Sequence, residues 1–151
     1  MRNLFDATVA NQVKARLGKL GPQSERLWGK MTPAQMLAHC SVSMQWAVGE
    51  VVPEKLALPA RLMGRLVKPM VFRNEDPLRK NSPTAKSLIV ADERDLAKER
   101  ERLSGLIDKF TAGGPARCTK HPHSFFGRMT PEEWAILMYK HLDHHLRQFG
   151  V

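Results

Sequence analysis

The 151-residue chain has no uninterrupted apolar run near the ~18 residues of a membrane span, so none of it is expected to cross a bilayer. Its start, MRNLFDATVANQVKARL, has no apolar core behind a basic head and predicts no secretory leader. Cysteine is scarce. Cys40 and Cys118 are too few for a disulfide framework and lack zinc-finger spacing, so reduced thiols in the cytoplasm are expected. There is no H-E-x-x-H, which excludes the metalloprotease helix with its glutamate base. No alternating run is long enough for a sheet. No nucleic-acid motif is present, and no aromatics interleave with the basic residues, so no nucleic-acid partner is expected.

What is present fits one domain over residues 1–151, with 42% apolar and 26% charged residues, ordinary values for a globular chain. The net charge of +9 is high, and residues 61–86 hold seven Lys/Arg against two acids, a local +5. An anionic partner would suit that balance, whether nucleic acid, a membrane surface or an acidic substrate. The plainer reading is a basic surface, with residues 50–90 folded over one end of the domain as a lid.

Asp6 is placed to cap a helix running to about Leu20, with Val9, Val13, Leu17 and Leu20 as its apolar stripe. Thr32-Pro33-Ala34-Gln35 is a capping box and predicts a helix to about Val48 that stops at Gly49. Five prolines interrupt 50–90, where only a short helix over Ala60–Val67 is expected, the rest being loop. Asp92 to Phe110 reads as a helix with Leu96, Leu103, Leu106, Ile107 and Phe110 on one side. After a loop over Ala116–Arg128, Thr130 and Glu133 open the last helix, which runs from Pro131 toward Gly150. Gly-Lys-Met-Thr-Pro at 29–33 and Gly-Arg-Met-Thr-Pro at 127–131 launch two helices in nearly the same way. Four substantial helices predict an all-α fold, a four-helix bundle with an excursion between the second and third.

The chemistry points to histidines. At about 100° per residue, His141 and His145 lie along the middle of the last helix's buried stripe, with Trp134 and Met138. Residues four apart sit about 5–6 Å apart at Cβ, so two imidazoles converge on one ion. Two imidazoles in an apolar stripe need partners, because an unpaired buried polar group costs about 1–3 kcal/mol. His39, on the second helix, borders the stripe of Met36, Cys40, Met44 and Ala47, with Ser43 and Trp46 on its flank. His39, His141 and His145 are therefore the candidate metal ligands. His144 points to the side, and Cys40 reads as packing. Three protein ligands leave coordination open for water or substrate, as catalytic sites do, and all-nitrogen ligation suits zinc, nickel or iron over calcium or magnesium.

The stretch Trp-Gly-Lys-Met-Thr-Pro-Ala-Gln-Met-Leu-Ala-His ending at His39, and His-Leu-Asp-His-His-Leu-Arg-Gln-Phe-Gly at 141–150, resemble the DinB-like (DinB/YfiT) superfamily of metalloenzymes, in an uncharacterised branch. The resemblance implies a DinB-like four-helix bundle, zinc or nickel held by His39, His141 and His145, and often a homodimer. Better-known relatives transfer or isomerise small molecules using a low-molecular-weight thiol such as bacillithiol or mycothiol. The chain departs from the common ending, in which Arg directly follows the last ligand, because Leu146 intervenes before Arg147. The expected function is a metal-dependent, thiol-using transferase or hydrolase, with Trp46, His144 and Gln148 at the substrate pocket. The alternative is a non-catalytic basic module for nucleic acid or anionic lipid, with structural histidines.

Overall fold

In the computed structural model, which describes residues 1–151, the chain is all-helical. Five α-helices follow in order: α1 (Ala7–Leu17), α2 (Pro33–Ala47), α3 (Leu58–Val71), α4 (Leu96–Gly113) and α5 (Pro131–Gln148). Two short 3-10 turns, Lys86–Leu88 and Pro115–Arg117, complete the regular structure.

The helix starts follow from local side-chain chemistry. Asp6 accepts from the Thr8 amide at the head of α1. Thr32 and Thr130 each form a full capping box with the residue three positions on, Gln35 and Glu133. The glycines that precede them, Gly29 and Gly127, both have positive φ, +78° and +71°, which a residue with a Cβ adopts only at a cost.

Several ends differ from the sequence expectation. α1 stops at Leu17 rather than Leu20, although Leu20 still reaches the core. α4 begins after Asp95, whose side chain takes the Lys98 amide, while Asp92 pairs with Arg94 outside the helix. α3 runs longer than the expected Ala60–Val67 and takes in Pro69. A proline in the last turns forfeits a single backbone bond, so the helix bears it there.

α2 contacts α4 and α5, and α1 contacts the same two, so these four helices share one core. Trp46, Trp134, Leu103, Ile107, Met138 and Leu142 lie fully inside it. Arg16 of α1 donates to Asp143 of α5 at 2.7 Å, fixing the two helices at the rim. His39 faces His141, and Trp46 shares the His123 ring with Trp134, so α2 and α5 run antiparallel.

α3 lies outside that core. Gly64 is its one buried residue, and a Cβ there would fall 1.9 Å from the Phe125 carbonyl oxygen. The end of α3 and the segment that follows it are fastened along α5. Lys140 donates to the carbonyls of Val71 and Asn74, at 2.8 and 3.0 Å, and Lys68 pairs with Glu133 at 2.8 Å. The excursion is thus tied down at several points beside the histidines.

Candidate metal centre

The capping boxes fix where each histidine emerges. His39 leaves α2 two turns after Thr32, and His141 and His145 leave α5 one turn apart near its end. Their nearest ring nitrogens all lie within 4.8 Å of one another, close enough to hold one metal ion. His39 Nε2 and His141 Nε2 are 2.9 Å apart. The His145 ring meets the other two edge to face, and His39 and His141 are tilted by 51°, with all centroids 4.7 to 4.9 Å apart.

Each ring's other nitrogen is committed. His39 Nδ1–H donates to the Leu88 carbonyl at 2.8 Å. Ser43 donates its hydroxyl to the Cys40 carbonyl at 2.8 Å, which leaves its lone pairs to accept from His141 Nδ1–H at 2.9 Å. Gln148 donates Nε2–H to the Trp28 carbonyl at 2.8 Å, which turns its Oε1 toward His145, whose Nδ1–H donates to it at 2.8 Å. The network therefore assigns the same tautomer to all three rings, with the Nε2 lone pairs turned inward. Two such lone pairs 2.9 Å apart repel unless a cation lies between them. The donor set fits a borderline divalent ion, and outer partners of this kind fix ligand tautomer and orientation in metal sites.

Burial sets the protonation state. His39 and His145 are buried, and His141 is set deep among protein atoms while keeping some accessible surface. Loss of hydration holds all three below the ordinary imidazole range, and neighbouring histidines push His141 and His145 further. His145 is brought down to about 3. The rings are neutral at pH 7, the form that binds metal.

The structure divides the expected pocket residues. His144 donates its Nδ1–H to the Leu78 carbonyl at 3.1 Å and lines a cavity of about 280 Å³ with Trp28, Pro77, Leu78, Lys80 and Arg147. That cavity adjoins the histidines through the His144 and His145 rings, 5.0 Å apart. Lys80 Nζ sits 4.2 Å above the Trp28 ring. A larger cavity of about 540 Å³, at Val48, Phe110 and Arg117, shares no residue with the cluster.

Trp46 and Gln148 are corrections. Trp46 is fully buried and packs edge-on against His123, two helical turns beyond His39, so it belongs to the core and not to an open wall. Gln148 is buried and holds His145, which makes it a positioning residue. Its spacing of three from His145 on one helix is the signal that would have found it. Ser43, four residues after His39, is the other missed partner, and the Leu88 carbonyl has no sequence signal at all. Cys40 is packing as expected: it is wholly buried, lies 3.7 Å from Met36 Sδ, and its thiol is pushed well above the usual range by burial. Of the two loop histidines, His121 is exposed, while His123 inserts between Trp46 and Trp134.

No curated protein and no solved structure matches the chain. Residues 4–150 match the family described as "Protein of unknown function (DUF1569)". With the match running nearly end to end, the chain belongs to the DUF1569 family.

Proposed function

We propose that the chain is a divalent-metal-dependent enzyme, a thiol-dependent transferase or hydrolase acting on a small molecule in the cytoplasm. In this reading α1, α2, α4 and α5 form a four-helix bundle of the DinB-like type. His39, His141 and His145 would hold zinc or nickel. The observation that carries the reading is the convergence of three Nε2 lone pairs, each ring anchored at its Nδ1. Such an ion supplies Lewis acidity and lowers the pKa of a thiol or water brought to it.

The chain's own residues supply the rest. Three histidines without a fourth protein ligand leave room for a substrate group, as a catalytic site requires. Lys80 and Arg147 give the adjoining cavity positive charge without an acidic lining residue, which suits an anionic thiol or acid, while His144 commits its N–H to the Leu78 carbonyl. Trp28 offers a flat apolar wall, and its carbonyl steadies Gln148 and through it His145.

Metal analysis of protein purified without chelator tests the reading. About one equivalent of a transition metal, lost in His141→Ala, is expected, together with thiol consumption in the presence of a small electrophile. Less than about a tenth of an equivalent, with no gain on reconstitution, overturns it.

A further inference from the structure

α3 carries an apolar face that nothing in the protein covers. Leu58, Leu62, Leu66 and Met70 recur every fourth residue, Met63 lies beside them, and all five are about half exposed or more, Leu66 at 73%. The opposite side of the helix holds Gly64 against the Phe125 backbone. The stripe therefore points directly away from the body. A helix normally turns such a stripe inward, and an outward one marks a surface that meets an apolar partner.

The charges around the stripe select that partner. Arg61 and Arg65 flank it on the same helix and enter no ion pair, and residues 61–86 carry +5 overall. A second copy of the chain would bring the same basic strip against itself. A bilayer surface with anionic headgroups takes both features together: Leu and Met side chains enter the acyl boundary while arginines meet the headgroups. We infer that α3 docks the protein on the surface of an anionic lipid bilayer, lying in the plane of the interface. The helix does not cross it, since no helix of the chain is long and apolar enough for a span. The inference is independent of the metal centre, because none of the stripe residues belongs to it.

The test is co-sedimentation of the full chain with phosphatidylcholine vesicles, with and without phosphatidylglycerol. Binding is expected only to the phosphatidylglycerol vesicles, and weaker as salt is raised. Leu66→Asp should lower partitioning by about tenfold or more, since one leucine's burial is worth at least that factor. Its exposure keeps the fold intact, which circular dichroism checks. Arg61→Glu with Arg65→Glu should lower binding as well, and His141→Ala should leave it unchanged. The inference is overturned by absence of binding to either vesicle, by equal binding of Leu66→Asp, or by a dimer in sedimentation that Leu66→Asp dissociates, which would assign the face to a second copy.

Discussion

His39 and His141 face each other through bare Nε2 atoms 2.9 Å apart, each with its Nδ1–H donated elsewhere. Without a cation this pair is a repulsive contact inside the protein, so a bound ion should add stability. At metal concentrations about a thousandfold above Kd, binding contributes about 4 kcal/mol. For a chain of this size that raises Tm by about 10 °C. A thermal scan with and without chelator measures it, and His39→Ala should abolish the difference.

Ser43 and Gln148 set the tautomers of His141 and His145. Ser43→Ala or Gln148→Ala should therefore weaken metal affinity about 10–100-fold while the three ligands remain in place. Competition against a chromophoric chelator gives the number. Affinity equal to the unsubstituted protein in both variants would show that the rings hold their orientation by packing alone.

Gly29 and Gly127 make a matched pair of substitutions. Alanine at either incurs the strain of positive φ, about 1–2 kcal/mol, read as a lower urea midpoint. Only at Gly29 would the new Cβ fall 2.4 Å from the Gln148 side-chain nitrogen; at Gly127 its nearest neighbour is Arg65 Nε at 3.8 Å. Gly29→Ala should therefore also weaken metal binding, and Gly127→Ala should not. Equal metal affinity in the two variants would disconnect Gln148 from the site.

His123 predicts a pH dependence apart from the metal ligands. Burial lowers its pKa to about 4, and its Nδ1 accepts from the Phe125 and Phe126 amides, at 3.1 and 3.2 Å. The unfolded chain takes up this proton near pH 6.5 and the folded one only near 4, so stability is full above that window and falls as pH drops through it. The loss should reach about 2–3 kcal/mol. Urea unfolding between pH 7 and pH 4 follows it, and His123→Gln should remove this share of the slope, the remainder coming from the other buried histidines.

The sequence carried the parts of the fold that are written locally. The repeated Met-Thr-Pro launch placed both histidine helices, and their periodicity turned His39, His141 and His145 onto one side. What it did not carry depends on contacts between distant segments. Trp46 lies on His39's flank, yet whether that flank is open or packed at its level is decided by His123 from the loop before α5. Gln148 could be placed near His145 by spacing, but its role rests on the Trp28 carbonyl, 120 residues earlier. The five prolines of 50–90 pointed to loop, and α3 took in two of them because Pro59 falls in its first turn, where no intrahelical bond is due, and Pro69 near its end, where one is lost.

The Leu88 carbonyl that orients His39 comes from a single 3-10 turn, whereas the other two rings are held by side chains on α2 and α5. Short turns open at a small fraction of the free energy that frees a packed helix. Were an ion held at this centre, its exchange would be expected to follow opening of residues 85–90, with Leu88 leaving the core, before any opening of the helices themselves.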